Sequence, residues 1–398
     1  MYTNTTTTVR FTPVESQGPK IVVLGLGGGG SNAVNRMIEN GMGGVTFVSA
    51  NTDAQTLMTN LAPIKLQLGP RTTRGLGAGG LPAIGEAAAE ESYRELAEIL
   101  QGADMVFLAA GMGGGTGTGS IPIAAKVSKA VGAVTIAVVT KPFSFELGRR
   151  QKNAEEGIRK LQKFCDTLIV IPNDRLLTIA PKDLPLEMAF TLADDVLRQG
   201  VQGIAELVTE TGLINVDFAH IKRVMEFGGG ALMSIGSGEG PNKTADALNN
   251  ALHHPLLEEV SLATASGIIA NFRGGSDLTF REVTSALDEL QAGTGNQAEI
   301  IPGVIPDPNM ENRVEVILIV TGIGGIRLKD LDMKTELKNY PELMDEETNC
   351  SRVTPSQSPK FSDNVGSTNS QNQYEPHVNF SSNLDIPAFM RKRTLQSK

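Results

Sequence analysis

The sequence predicts an α/β protein with a parallel sheet, a long central helix, a second α+β domain and a disordered C-terminal tail. Three observations predict this class. Short β-branched apolar runs alternate with helical stretches, a long apolar helical stripe follows them, and the composition becomes polar near the end of the chain. Ahead of the first run, residues 1–18 are polar and rich in threonine, so they are expected to form a disordered arm.

Residues 19–184 are predicted to form the first domain. Their apolar runs lie at 20–25, 45–50, 105–110, 134–139 and 167–171. The helical stretches between these runs lie at 32–39, 82–101, 121–131 and 150–164. Because strands and helices alternate, the domain is expected to consist of βαβ units whose strands run parallel.

A single long helix is predicted across residues 185–212. Met188, Leu192 and Val196 recur every four residues, which gives the helix an apolar face. Gly212 is expected to end it, because glycine is common just past a helix C-terminus. A helix of this length is expected to lie between two domains.

Residues 213–326 are predicted to form the second α+β domain, with strands at 262–272 and 313–321 around a helix at 279–290. Beyond it, residues 327–384 are expected to be a disordered linker, since 21 of the 34 residues in 351–384 are Ser, Thr, Asn, Gln or Pro. Residues 385–398 contain an apolar cluster followed by three cations. Such a cluster at the end of a tether is typical of a peptide that a partner binds.

Composition and charge exclude several classes. With 35 Lys+Arg against 44 Asp+Glu, the net charge of −9 disfavours a nucleic-acid coat. Cys165 and Cys350 are too few for a disulfide framework or a zinc site. No apolar run reaches the ~18–20 residues of a membrane span, and the N-terminal segment lacks the apolar core of a signal peptide. A cytoplasmic protein without a membrane span is therefore expected.

Two glycine-rich turns, at residues 25–32 and 111–119, each follow a predicted strand and precede a predicted helix. Such a unit presents unpaired N–H groups at the positive end of a helix dipole, which suits a phosphate. The second turn holds more glycines than a tight βα turn needs, whereas the first fits either role. Neither turn contains a P-loop pattern or a lysine, so backbone amides and a bound metal would have to neutralise the phosphates.

The first turn also admits a dinucleotide-binding interpretation. Gly25, Gly27 and Gly30 satisfy G-x-G-x-x-G, and Asp53 lies 23 residues past Gly30, near where Rossmann oxidoreductases keep a ribose-binding acid. A single motif of this kind is weak evidence. This interpretation also leaves the second glycine turn and the terminal peptide without a purpose.

Further motifs narrow the class. The second turn contains the tubulin signature Gly113-Gly-Gly-Thr-Gly-Thr-Gly119. With it occur Asn51-Thr-Asp-Ala-Gln55, Lys141-Pro-Phe-Ser-Phe-Glu146, Ile171-Pro-Asn-Asp174, Asn215-Val-Asp-Phe-Ala219 and Asp385-Ile-Pro-Ala-Phe-Met-Arg-Lys-Arg393. Over residues 20–326 and the terminal peptide, the sequence resembles FtsZ, the bacterial tubulin homologue of the division ring. The resemblance implies that residues 19–184 form a tubulin-like GTPase domain with a Rossmann-like parallel sheet.

The resemblance also implies the ligands, GTP or GDP with Mg²⁺, and their contacts. The first turn would contact the nucleotide through Gly28, Gly29, Gly30, Ser31 and Asn32. The second turn would cradle the phosphates through Gly114, Gly115, Thr116, Gly117 and Thr118. Gly79 and Gly80 would lie near the γ-phosphate, while Glu146 and Arg150 would lie beside the ribose.

The resemblance implies that four residues bind the guanine base: Asn173, Phe190, Asp194 and Asp195. A carboxylate at Asp194 can accept both the N1–H and the 2-amino protons of guanine, a donor pattern that adenine lacks. Phe190, one helical turn earlier, would pack on the base, although ordinary core packing explains this residue equally well.

In this family a loop of the next subunit completes the active site with two acids. Here Asp217 matches the first acid, and His220 stands where the second is usual. A neutral histidine can orient water and accept a proton, but it adds no negative charge for a cation. Asp217 also suits the N-cap of a following helix. Two interpretations stay open: a GTPase that drives filament turnover, or a filament former with weak hydrolysis.

The implied assembly is a head-to-tail homopolymer within the division (Z) ring. Residues 385–393 are implied to bind membrane-tethering and regulatory division proteins, with Ile386, Phe389 and Met390 filling a groove. The location implied is the cytoplasm, at the division site on the inner face of the membrane.

Overall fold

The computed structural model of the 398-residue chain describes residues 18–323, except 147, 182, 211, 215, 229, 258–261, 263, 264 and 296. The predicted arm lies outside the described residues apart from Gly18. The predicted linker, residues 327–384, and the terminal peptide, residues 385–398, lie wholly outside them.

The first half of the sheet consists of six parallel strands. They are β1 (Ile21–Leu26), β2 (Thr46–Asn51), β3 (Ile64–Gln67), β4 (Met105–Gly111), β5 (Val134–Lys141) and β6 (Thr167–Pro172). Their order is β3-β2-β1-β4-β5-β6, and each pair of neighbours runs parallel. Because helices cover both faces of the sheet, β1 is buried along its whole length, and its sequence is a continuous apolar run. The predicted parallel sheet is confirmed.

Seven helices accompany these strands in the described residues: α1 (Gly27–Glu39), α2 (Ala54–Thr59), α3 (Pro82–Glu91), α4 (Tyr93–Leu100), α5 (Thr116–Ala130), α6 (Gly148–Leu161) and α7 (Asn173–Ile179). The helix starts predicted at 32 and 121 were wrong by five residues, because the glycines form the first turns of α1 and α5. Pro122 therefore lies inside α5. The helix predicted at 82–101 is divided at Ser92.

The long central helix is α8 (Leu186–Thr209). Val196, Leu197, Val201 and Ile204 are buried in one apolar cluster with strands from both halves of the sheet. The helix ends three residues before Gly212, which lies in the next loop. A Cβ on Gly212 would lie 2.6 Å from the carbonyl oxygen of Val304, so close packing rather than helix capping requires glycine there.

The remaining described elements continue the same sheet. They are α9 (Phe218–Met225), β7 (Gly230–Glu239), α10 (Lys243–Leu252), β8 (Gly267–Gly274), α11 (Phe280–Gly293), β9 (Glu299–Pro306) and β10 (Arg313–Ile323). The order continues from β6 as β7-β10-β8-β9, and β6 joins β7 through the pairs Leu168–Gly230 and Ile169–Ala231. Sequence analysis missed β9 because Pro302 interrupts its pattern, which an edge strand tolerates.

Candidate functional site

The two glycine turns lie side by side at the carboxyl edge of the sheet. Strands β1 and β4 pair in parallel, with Leu26 opposite Ala110, and each strand leads into a helix. The chain continues from β1 to β2 on one side and from β4 to β5 on the other, so this edge is a topological switch point. Unpaired N–H groups of α1 and α5 meet there, and the helix dipoles favour a negatively charged ligand.

The predicted glycines divide into two groups by what surrounds them. In the first group a Cβ would meet backbone: 2.2 Å from the Ala109 oxygen for Gly30, and 2.9 Å from the Gly111 oxygen for Gly117. Gly29 and Gly115 are similarly confined. In the second group no described residue comes within 4 Å of the Cβ position; this group is Gly28, Gly79, Gly80 and Gly114. The first group lets the turns pack together, and the second borders open space that a bulky anion fits.

The hydroxyl groups of the turns bond within the protein. The Ser31 Oγ lies 2.9 Å from the Ser49 Oγ in the core. The Thr116 Oγ1 lies 2.6 Å from the Thr52 Oγ1. The Thr118 Oγ1 accepts the backbone N–H of Gly113, in the second turn, at 2.8 Å. These bonds hold the backbone of the turns in the shape that exposes their N–H groups.

A third loop, residues 74–80, borders the same space. Gly79 and Gly80 have φ of +57° and +73°, a region that glycine adopts without strain, and both residues are exposed. The Asn153 Nδ2 donates to the Gly113 oxygen at 3.3 Å and lies 3.5 Å from the Gly80 oxygen. Asn153 therefore connects the third loop to the second glycine turn.

An aromatic cluster lies at the carboxyl end of β5. Phe143 is buried, and its ring stacks on Phe145 at 5.1 Å and meets the edge of Phe190 at 5.5 Å. Phe190 is 39% exposed, so part of its ring remains available to a ligand. Nearby along the sheet edge, Asn173 begins α7 and is 5% exposed, yet its Oδ1 has no hydrogen-bond partner among the described residues. A buried acceptor without a partner fits a ligand that brings a donor.

Asp194, on α8, faces α1 across the helix interface. Its Oδ2 lies 3.6 Å from the Nε of Arg36, and the Arg36 Nη2 donates to the Thr191 Oγ1 at 3.2 Å. Burial raises the pKa of Asp194 to about 6, while the charge of Arg36 and the nearby polar side chain of Asn32 act in the opposite direction. Near neutral pH this carboxyl group is therefore ionised but easily protonated.

The other predicted ribose and base residues form ion pairs. Glu146 accepts from Arg150 one turn later, and its other oxygen accepts the Phe143 N–H at 2.9 Å. Asp195 accepts from the Arg198 Nε at 2.6 Å, on the side of α8 that faces β7 and α10. Asp195 therefore does not share the surroundings of Asp194.

The carboxylate of Asp53 is used within the fold. It caps α2 by accepting the N–H groups of Gln55 at 2.9 Å and Thr56 at 3.2 Å. Helix capping therefore accounts for Asp53 without a ribose. The dinucleotide interpretation is therefore not favoured.

The two predicted catalytic residues lie beyond the opposite end of α8. Asp217 caps α9 by accepting the Ala219 N–H at 3.1 Å, and both Asp217 and His220 are exposed. The loop before them is held on β9, where the Leu213 N–H donates to the Val304 oxygen at 2.8 Å. The structure thus separates these residues from the glycine turns.

Three further residues contribute to the site and were not predicted from the sequence: Arg36, Phe143 and Phe145. Arg36 follows Asn32 by four residues, so the two share a face of α1, and this spacing was an available signal. Its partner Asp194 is 158 residues away, and only the fold brings them together. The two phenylalanines lie within the motif of residues 141–146, but the motif alone does not indicate what they contact.

Fold and site together define a GTPase of the tubulin type. The model of the Tubulin/FtsZ family GTPase domain matches residues 20–181, and that of the FtsZ family C-terminal domain matches residues 229–324. Among solved structures, an empty FtsZ dimer from M. jannaschii has 45% identity and a TM-score of 0.75, with 78% of this chain and 90% of that chain covered. The chain belongs to the FtsZ family.

Two further solved structures are similar. A point mutant of the M. jannaschii FtsZ has 45% identity and a TM-score of 0.74, with 78% of this chain and 92% of that chain covered. CetZ2 from Haloferax volcanii, a GTPγS-bound protofilament, has 20% identity and a TM-score of 0.66, with 82% and 99% covered, and this likeness supports the fold alone.

Proposed function

We propose that the chain binds GTP at the switch point between β1 and β4 and hydrolyses it only where a second copy supplies Asp217. The observation that carries this proposal is a separation within one chain. Asp194 and Thr209 are fifteen residues apart on α8, roughly 22 Å at 1.5 Å per residue. The loop that follows packs on β9, near the far edge of the sheet, so Asp217 acts on a nucleotide of another subunit.

The triphosphate is held mainly by backbone N–H groups. Residues 28–32 supply them from the start of α1 and residues 114–118 from the start of α5. Gly79 and Gly80 approach the γ-phosphate from the third loop, where open space surrounds them. Glu146 and Arg150 lie beside the ribose.

The base is read at the junction of α1, α7 and α8. An ionised Asp194 accepts the N1–H and the 2-amino proton of guanine, and the unpartnered Oδ1 of Asn173 accepts a further donor. The exposed part of Phe190 packs on the ring. Asp195 supports this end through its ion pair with Arg198 and has no direct contact with the base.

Subunits assemble head to tail through two exposed apolar surfaces. Leu186 (60% exposed) and Met188 (50%) lie at the nucleotide end of α8, whereas Leu213 (71%) and Phe280 (77%) lie at the other end. Leu213 bonds to Val304, whose partner Phe272 lies near the end of β8 that leads towards Phe280. Exposed apolar groups of this size are typical of interfaces, and the related FtsZ structure from M. jannaschii is a dimer.

Mg²⁺ fits this site only together with the phosphates. Within the described ranges no three acidic, histidine or cysteine side chains cluster closely enough to hold a metal ion. Mg²⁺ commonly binds through one or two carboxylates, substrate phosphates and water. The bound ion would neutralise charge on the phosphates, and Asp217 of the next subunit would be an acid available to it in the proposed assembly.

His220 leaves two forms of this function open. Asp217 orients the attacking water in both. If the neutral His220 ring accepts a proton from that water, the filaments turn over GTP. If a second negative charge is required, the chain assembles but hydrolyses slowly.

The cellular role proposed is a division ring on the inner face of the membrane. Residues 385–393, which lie outside the described residues, would recruit membrane tethers and regulators. No helix in the described part of the chain is long and apolar enough to cross a bilayer.

The test is the rate of GTP hydrolysis against protein concentration with Mg²⁺. A shared site predicts a rate that rises faster than linearly and nearly vanishes below a critical concentration. A rate that stays strictly proportional to protein at high dilution would overturn the proposal.

A further inference from the structure

Arg36 is a cation placed against the carboxylate proposed to read the base. Its Nε lies 3.6 Å from the Asp194 Oδ2, and this buried nitrogen has no hydrogen-bond partner among the described residues. The Thr191 Oγ1 holds the far end of the guanidinium at 3.2 Å. The Asp194 side chain is only 15% exposed, so the interaction is weakly screened by water.

The protonation state of Asp194 decides which base it matches. A carboxylate offers two acceptors, which suit the N1–H and 2-amino group of guanine. A protonated carboxyl offers one donor and one acceptor, which suit N1 and the 6-amino group of adenine. A polar group left unpaired in the site costs affinity, so each form rejects the other base.

We propose that Arg36 is a specificity-determining residue, which keeps Asp194 ionised and oriented so that the site selects guanine over adenine. This proposal rests on the proposed function, because it assumes that the base lies at Asp194. Arg36 acts through Asp194 and is a positioning residue.

The surroundings leave Arg36 as the main charge that acts on Asp194. From α1, Arg36 and Asn32 favour the ionised form against the effect of burial. On α8, the neighbouring Asp195 is paired with Arg198. From α7, Asp174 accepts the Ser144 N–H at 2.8 Å, and Arg175 donates to the Pro255 oxygen at 2.6 Å, so both are engaged elsewhere.

Equilibrium binding of GTP and ATP to the full chain from pH 5 to pH 8, below the concentration of assembly, tests the proposal. The ratio of the two affinities cancels the titration of the phosphates, which both nucleotides share. Because guanine binds the ionised Asp194 and adenine binds the protonated form, the wild-type ratio of GTP affinity to ATP affinity should fall about tenfold for each unit by which the pH is lowered, with the two forms of Asp194 equally populated at about pH 6.

Three variants locate the cause. Arg36→Gln should displace this profile to higher pH, so that the ratio at a given pH falls tenfold for each pH unit of displacement. Arg36→Lys should return the profile to the wild-type position, since it restores the charge. Asp194→Asn should give a ratio that does not change with pH, because an amide does not titrate. Melting temperatures establish that each variant is folded.

Superimposable profiles for wild type and Arg36→Gln would overturn this inference, as would equal effects of Gln and Lys. A wild-type chain that binds GTP no better than ATP at any pH would instead overturn the proposed function.

Discussion

Asp194 and Asp217 lie on opposite sides of the end of the central helix: fifteen helical residues and a loop that packs on β9 separate the aspartate at the nucleotide end from the aspartate that caps α9. Both are proposed to act on one nucleotide. No single chain in this conformation can bring them together, so hydrolysis and assembly are coupled by geometry.

Replacing His220 by aspartate should raise the rate of GTP hydrolysis if a second acid limits it. His220 is exposed and lies in the first turn of α9, so the change should leave folding intact. The measurement is the hydrolysis rate per subunit well above the critical concentration, with His220→Asn as the control that lacks both charge and basicity. An increase with His220→Asp supports the slow-hydrolysis form. If both substitutions lower the rate, the histidine itself takes part in catalysis.

Two glycines of the same site should respond differently to alanine. Gly30→Ala should lower the free energy of unfolding by about 1–3 kcal/mol, because its Cβ would lie 2.2 Å from the Ala109 oxygen. Gly114→Ala should change that free energy by less than about 0.5 kcal/mol but weaken GTP binding, because its methyl group enters the open space. Denaturant unfolding and equilibrium binding separate the two effects. Unchanged GTP affinity in Gly114→Ala would argue against this placement of the phosphates.

Phe280→Ser should raise the critical concentration for assembly roughly tenfold or more, since a central aromatic contact at an interface is worth about 2 kcal/mol. The side chain is 77% exposed at the start of α11, so nucleotide binding should be unaffected. Light scattering against protein concentration measures the change. Glu289→Ala, exposed about two and a half turns later on the same helix, is the matched control. A similar rise of the critical concentration in the control would contradict the placement of Phe280 at the interface.

Deletion of residues 385–398 should leave GTP binding and filaments intact but abolish recruitment of division partners. The apolar cluster and the three cations in this segment are the features expected to bind. A pull-down with a membrane tether compares the full chain with the truncated one. Capture of the tether by the truncated chain would contradict the prediction.

The parallel sheet was predictable because buried parallel strands have a local signature. The runs beginning at Ile21 and Met105 are apolar throughout and end in glycine, and both proved to be strands. The first residues of the helices were harder to predict from the sequence. Glycine is a poor helix former, yet residues 27–30 form a helical turn. Their packing against the neighbouring strand, which no local pattern reports, compensates for that preference.

The site was predictable in its parts but not in its electrostatics. The glycine turns carry their chemistry in the sequence, so their adjacency follows once β1 and β4 are neighbours. The contact between Arg36 and Asp194 joins α1 to α8 and depends on how the helices pack. Asp53 is a position where the sequence pattern was misleading. Its spacing from the first glycine turn fits a ribose-binding acid, but its carboxylate caps a helix.

The most direct test of the shared site is a mixing experiment. Asp217→Asn should bind GTP normally and fail to hydrolyse it, whereas Asp194→Ala should fail to bind GTP and still present Asp217. Each variant alone should be inactive. If one subunit supplies the nucleotide and the next supplies the acid, mixing them should restore hydrolysis above the sum of the separate rates. A mixture that stays as inactive as its components, or an Asp217→Asn variant that hydrolyses GTP at the wild-type rate, would contradict the account.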